Sequence, residues 1–437
     1  MLAGDLPVIN IVLSLYNLAW LAALFVLKRL PRVGLGWQQR TLKDVAEGPF
    51  DLWIQAASGG ESMLTNMVLE GLGPLLPNKK IWRILVTSGT KQGIDSLGRG
   101  CRNLPPDSPL DLSIAYFPFD APHLMDKAFA RFKPKLAVIV ETELWPGFLI
   151  RAKKNKVPVM IVNGRMSEKS FRSYKYFAKF FQKYGPEKVL AISPADRERF
   201  SRLVGPEKVS LMDNIKFDRI CPRPGRPENN PIGAHLPENS PFLLLGSIRR
   251  EEEQQILHTI ARILALRQDI TVGLFPKHIE RADHLIKMLT RQNIKAIKRS
   301  KILDRQSPGT VIVWDVFGEL AGAYALAEAA FVGGALANLG GQNFLEPLAF
   351  GLKPIIGPHW HDFAWIGREI VAAGLVTEVA DENELTATLL TALNTAVARD
   401  QVIKQVQDFL LPRTGGTRQV CQLIITKMAE LEKIKKR

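Results

Sequence analysis

Cysteine is almost absent from this chain: Cys101, Cys221 and Cys421 are the three found in 437 residues. They are odd in number and widely spaced, with no pair at metal-ligand spacing. That argues against a disulfide framework and against a cysteine-based zinc site, and points to inert thiols in a reducing compartment. A Gly-x-Gly-x-x-Gly turn at a first strand–helix junction is missing, as is the Walker pattern, which removes the usual dinucleotide and P-loop readings. No Asp-x-Asp pair is present to hold a divalent ion for a nucleotide-diphosphate sugar, so no metal cofactor is expected. No repeat of solenoid length stands out. Acidic residues are outnumbered, 43 against 58 basic, leaving a formal charge of +15. Such a field attracts nucleic acid, anionic lipid and phosphorylated substrates alike.

What the chain does contain begins with an uncharged run, Pro7 to Leu27, long enough for a helix to cross a bilayer core. Asp5 precedes it, and Lys28, Arg29 and Arg32 follow. Residues 1–32 therefore read as a membrane anchor, with the rest of the chain in the cytoplasm. Asn10, Ser14 and Asn17 recur at helical spacing, so a helix lying in the interface is equally compatible. Beyond the anchor, short apolar runs alternate with amphipathic stretches: Ile81–Thr87, Leu136–Val140, Val157–Val162, Phe242–Leu245 and Thr271–Phe275. This is the pattern of parallel strands covered by helices. The proline-rich segment 221–241 reads as a linker. It separates an acceptor-binding Rossmann-like domain, 33–220, from a nucleotide-sugar-binding one, 242–437, that ends in helices. The expected class is α/β, a GT-B architecture of two Rossmann-like domains facing a cleft.

Two acidic clusters follow strand-like runs. Leu52–Ile54 leads into Gln55–Ser62, which puts Glu61 near a helix N-terminus, where backbone N–H groups favour the ionised carboxylate and equip it as a base. Its plainer role there is that of a helix cap. Ala137–Val140 ends in Glu141–Pro146, which places Glu141 and Glu143 beyond a strand's carboxyl end, where such sheets bind ligands. A carboxylate near a developing oxocarbenium ion stabilises it. In the C-terminal half, Gly340–Pro347 reads as a glycine-rich turn feeding a helix N-terminus suited to a phosphate, with Glu346 one turn in to meet ribose hydroxyls.

Six motifs then occur in order: SGGE, ETELWP, NGRMS (Asn163–Ser167), NIKFD (Asn214–Asp218), FPKH (Phe275–His278) and FVGGALANLGGQNFLEP (Phe331–Pro347). Together with the N-terminal apolar helix they resemble the 3-deoxy-D-manno-octulosonic acid (Kdo) transferase family over nearly the whole chain. The resemblance implies an inverting transfer of Kdo from CMP-Kdo to a lipid A precursor in lipopolysaccharide biosynthesis, with Glu61 as general base. Glu141 and Lys216 become transition-state stabilisers, with Glu143 as an assisting group. It assigns CMP contacts to Pro276, Lys277, Phe317, Gly318, Glu319, Asn343, Phe344, Leu345 and Glu346. Ser58, Gly59, Gly60, Arg165, Ser247, Arg249, His278 and Gly334 are further cleft candidates.

Some positions depart from that family's pattern. Ser247-Ile248-Arg249 stands where Ser-Thr-His is usual, Lys277 where Arg is usual, Gln342 for a common His and Ala335 for a common Ser. These leave open a related sugar acid as donor. Ser167–Gly185 interleaves seven aromatics with five basic residues, which suits an anionic membrane surface and the bis-phosphorylated lipid A precursor; no nucleic-acid partner is expected. His359, His361 and Asp362 read as a loop at the donor site. Alternative functions are a GT-B transferase or epimerase using another nucleotide sugar, and a non-catalytic, membrane-tethered lipid-binding relative.

Overall fold

The computed structural model describes residues 6–76, 80–220, 230–395 and 398–435; Cys221 and the first part of the expected linker, 221–229, lie outside them. Two compact units result. The first comprises residues 1–219 and 413–437, the second residues 220–412.

The first unit is built on a seven-stranded sheet, with β1 (Leu52–Ala56), β2 (Trp82–Ser88), β3 (Leu110–Tyr116), β4 (Leu136–Val140), β5 (Val159–Gly164), β6 (Lys188–Ala191) and β7 (Val209–Leu211) ordered β3-β2-β1-β4-β5-β6-β7. Every pairing is parallel. Its apolar runs are buried on both faces, as parallel strands covered by helices must be. Trp53, Phe129, Phe132 and Phe148 pack on one face and Ile54, Leu64, Val68 and Val138 on the other. The order reverses between β1 and β4, so the loops leaving those two strands open a crevice at their carboxyl ends.

The second unit repeats the plan. Its strands, β8 (Phe242–Ile248), β9 (Thr271–Pro276), β10 (Ala296–Lys298), β11 (Val311–Val313), β12 (Ala329–Val332), β13 (Pro354–Ile356) and β14 (Thr377–Glu378), run in the order β10-β11-β9-β8-β12-β13-β14. The reversal here lies between β8 and β12.

Two expectations change. The C-terminal helix, Gly416–Lys435, was expected in the second domain but belongs to the first unit. Val420, Cys421, Ile424 and Met428 on it complete the apolar layer against the helix Gly59–Leu72. The expected membrane span is a helix, Leu6–Leu27, but among the described residues no helix is long and apolar enough to cross a membrane. One side of it is docked on its own unit. Trp20, Leu24 and Leu27 pack with Phe119, Ala121 and Leu124, while the Tyr16 hydroxyl donates to Asp120 at 2.9 Å and the Asn17 amide oxygen lies 2.8 Å from His123 Nδ1.

Candidate active site

Glu61 stands at the start of the helix Gly59–Leu72, directly beyond β1. Ser58 is its N-cap residue. The Glu61 carboxylate accepts from the Ala57 N–H at 2.6 Å and from the Ser58 hydroxyl at 3.0 Å. The capping role weighed from the sequence is thus real. Both oxygens nevertheless sit in a half-buried position among other carboxylates, and the proton affinity of Glu61 is raised. Burial is the largest cause, opposed by the Ala57 N–H; the charge of Glu141 raises it further, and Ser58 and Lys216 pull it back.

Glu141 leaves β4 with a positive φ of 61°, a backbone state that L-residues other than glycine adopt at a cost of about 1–2 kcal/mol. Its N–H donates to the Val162 carbonyl at 2.9 Å, and its carboxylate meets Lys216 Nζ at 2.7 Å, both side chains being largely buried. Lys216 arrives on a single helical turn, Ile215–Asp218, capped by Asn214, whose side chain accepts from the Lys216 N–H at 3.0 Å. The Asn163 side chain, at the end of β5, accepts from the Ile215 N–H at 3.0 Å. Glu61, Glu141 and Lys216 are therefore one electrostatic group at the switch point of the first sheet. Glu143 joins it. Its proton affinity is pushed up to about 7, first by burial and then by the charge of Glu61, with the Trp145 indole N–H working the other way. Ser58, Gly59 and Gly60 form the turn at Glu61. Arg165 is exposed, and its carbonyl accepts from the Thr142 hydroxyl, tying the Glu141 loop to the one after β5.

The candidates of the second unit divide. Pro276 ends β9; Lys277 and His278 follow it with exposed side chains. Phe317 is 79% exposed, and Gly318 has φ 87° with open space where a Cβ would sit. Glu319 is bound to Arg299 through two bonds at 2.8 and 2.9 Å and accepts from the Trp314 indole at 2.7 Å. Asn343 is exposed, whereas the Phe344 and Leu345 side chains are buried; Phe344 packs edge-on against Trp360. Those two side chains belong to the core and offer a ligand no surface. The expected helix after Gly340–Gly341 is one turn, Leu345–Leu348, with no side-chain cap bond. It is too short to carry a strong macrodipole, and Glu346 is its second residue. Ser247 has a positive φ of 57° at an irregularity in β8. Arg249 is partly exposed, with Glu251 3.9 Å away.

Gly334 is already engaged. Its N–H donates at 2.6 Å to Glu252, which is fully buried and also accepts from Leu336 at 2.8 Å. Sequence reading missed Glu252 as the organiser of this loop, though its place beyond the first strand of a sheet parallels that of Glu61. It also missed Arg299, which no motif marks. His359 and His361 line a cavity of about 290 Å³ with Trp360 and Arg368. Among the described residues no three metal-type side chains converge.

The basic aromatic stretch is broken into the helices Glu168–Tyr174 and Ala178–Tyr184 around a 3₁₀ turn, Lys175–Phe177. Phe171 and Phe181 are core residues, whereas Tyr176 and Phe177 are exposed.

Residues 31–219, which carry Glu61, Glu141 and Lys216, match the family described as 3-Deoxy-D-manno-octulosonic-acid transferase (kdotransferase). A 3-deoxy-D-manno-octulosonic acid transferase of Bordetella pertussis is 27% identical over 432 residues, covering 93% of this chain and 96% of that one. Its counterpart from Haemophilus influenzae is 28% identical over 314 residues, 71% of this chain and 73% of that one. Among solved structures, a glycosyltransferase from Rickettsia africae matches with a TM-score of 0.56 at 10% identity, over 88% of this chain and all of that one. The fold is the expected α/β one, with two Rossmann-like sheets and GT-B neighbours. The motif order, the family match over residues 31–219 and the coverage of these relatives agree: the chain is similar to Kdo transferases over most of its length.

Proposed function

We propose that this protein transfers Kdo from CMP-Kdo to a hydroxyl of a lipid A precursor by direct displacement with inversion. The observation that carries this reading is the group formed by Glu61, Glu141 and Lys216 at the switch point of the first sheet. Glu61 takes the proton from the acceptor hydroxyl as its oxygen bonds to the anomeric carbon of Kdo. The bond from that carbon to the CMP phosphate oxygen breaks, and its electron pair leaves with CMP. Positive charge on the sugar meets the Glu141 carboxylate; the phosphate or the Kdo carboxylate meets the Lys216 ammonium. Lys277, Asn343 and Glu346 are the residues of the second unit assigned to CMP, and no resident metal is assigned to the reaction.

The acceptor is a lipid, and the reading extends to a protein seated on the cytoplasmic surface of the inner membrane. Leu18, Leu21, Phe25 and Val26 are exposed on the N-terminal helix, which Lys28 and Arg29 follow, and Tyr176 and Phe177 are exposed beside Lys175 and Lys179. Apolar side chains rimmed by cations suit an anionic interface.

The test is CMP release from CMP-Kdo by the detergent-solubilised full chain, with and without a tetraacylated precursor. Precursor-dependent release that Glu61→Ala abolishes is the expected result. No release, with thermal protection by UDP rather than CMP, overturns the donor.

A further inference from the structure

A four-residue helix has no stability of its own, because nucleation costs more than one turn returns. The turn Ile215–Asp218 that presents Lys216 must be held from outside. Part of the hold comes from Asn163 and Asn214. The rest comes from 197 positions further along the chain, where the Asp218 carboxylate accepts from the Gly415 N–H at 2.6 Å and, through its other oxygen, from the Thr417 N–H at 2.7 Å. These are N–H groups at the start of the C-terminal helix, which lack helical partners and favour a carboxylate. Gln419 doubles the tie, accepting from the Asp213 N–H at 3.0 Å and donating to the Asp213 carboxylate at 2.6 Å. Approach is so close at Gly416 that a Cβ there would fall 2.1 Å from the Asp213 carbonyl oxygen. The same helix reaches the helix Gly59–Leu72 that carries Glu61: the Cys421 thiol donates to the Val68 carbonyl at 3.4 Å.

We propose that Asp218 is a positioning residue: by capping the C-terminal helix it fixes the turn from which Lys216 reaches Glu141. The placement of the transition-state cation is thereby set by the segment with which the chain re-enters its first unit. This rests on Lys216 acting as a transition-state stabiliser. The final Asp of the NIKFD motif, which the proposed reaction does not use, then has a task.

The experiment compares Asp218→Ala and Asp218→Asn with Ile424→Val, a change in the buried face of the same helix that leaves the cap in place. With CMP-Kdo and the tetraacylated precursor, Asp218→Ala is expected to lower kcat about 100-fold, the scale of losing one charge-stabilising group, with KM for CMP-Kdo unchanged. Asp218→Asn keeps one acceptor and recovers part of the rate. Ile424→Val lowers the unfolding temperature and leaves kcat intact. Added to Lys216→Ala, Asp218→Ala has no further effect, since both remove one contribution. Full multiplication of the two losses would overturn the proposal, as would an equal kcat loss in Ile424→Val. A readout independent of turnover is the ¹³C resonance of reductively methylated Lys216, assigned by Lys216→Arg. Asp218→Ala is expected to move it toward the position of solvent-exposed lysines while Ile424→Val leaves it in place, and an unmoved resonance in Asp218→Ala also overturns the proposal. An inactive wild type would count against the Kdo reading, and the resonance would still decide this one.

Discussion

The two sheets place a glutamate at the same topological point and use it in opposite ways. Beyond β1, the first strand of the first sheet, Glu61 is half-buried, accepts two short-range bonds from its own turn, and shares its surroundings with Glu141, Glu143 and Lys216. Beyond β8, the first strand of the second sheet, Glu252 is fully buried, and its carboxylate accepts from Gly334 and Leu336 across the switch point. In the proposed reaction one carboxylate takes a proton from a substrate; the other is consumed in shaping a loop. A switch point fixes where a glutamate stands, and what else competes for its oxygens decides whether it does chemistry.

The comparison breaks if the two glutamates give the same phenotype. Glu61→Gln keeps much of the helix cap but removes the base, and turnover should fall by about 10²–10⁴-fold at nearly unchanged unfolding temperature, measured as CMP release and by calorimetry. Lys216→Ala comes next, with an expected loss of about 10²–10³-fold in kcat, seen in the same assay. Glu252→Gln should do the reverse. It leaves one buried backbone N–H facing the amide nitrogen, which cannot accept, at a cost of about 1–3 kcal/mol, so the second unit should unfold several degrees lower. In that variant KM for CMP-Kdo should rise while kcat at saturating donor is largely kept.

The smallest effect sharpens the comparison through pH. A base must be unprotonated, and Glu61 is raised above the ordinary carboxylate range while Glu143 sits at about 7. The acid limb of the rate should therefore lie at higher pH than an ordinary carboxylate would give. Glu141→Gln removes the negative neighbour that raises Glu61, so a pH–rate profile on its residual activity should show the acid limb moved to lower pH. In the folded state Glu143 binds more proton than in the unfolded chain between its reference value of 4.5 and about 7. Its contribution to stability is thus lost as pH rises through that window, and Glu143→Gln should be the more stable protein at pH 8 but not at pH 4.

Strand-to-turn transitions were legible in the sequence. Leu136–Val140 and the strand starts at Leu52, Phe242 and Thr271 follow from apolar runs bounded by small, polar or proline residues, and they put Glu61 and Glu141 at the carboxyl ends of the two strands flanking the switch point. Residues whose role depends on a partner far along the chain were not legible. Amphipathicity in Gly416–Lys435 announces a packed helix without saying which sheet it covers. Gly334 reads as a ligand donor until Glu252 takes its N–H, and Glu319 as a free acceptor until Arg299 closes on it. In the N-terminal helix an uncharged run of bilayer length reads as a span, yet Tyr16, Asn17 and Trp20 meet Asp120, His123 and Phe119 of the same unit.

The return of the last helix to the first unit also bears on synthesis. Val420, Cys421, Ile424 and Met428 fill an apolar layer whose other side is laid down by Leu52, Ile54, Leu64 and Val68. Residues 220–412 come between, and at ordinary elongation rates they take about 10–40 s to translate. Throughout that interval the apolar layer between the first sheet and the helix Gly59–Leu72 stands on the ribosome without its last covering helix. The first unit is begun before the second and completed after it, so its apolar face needs shelter until residues 416–435 have been made.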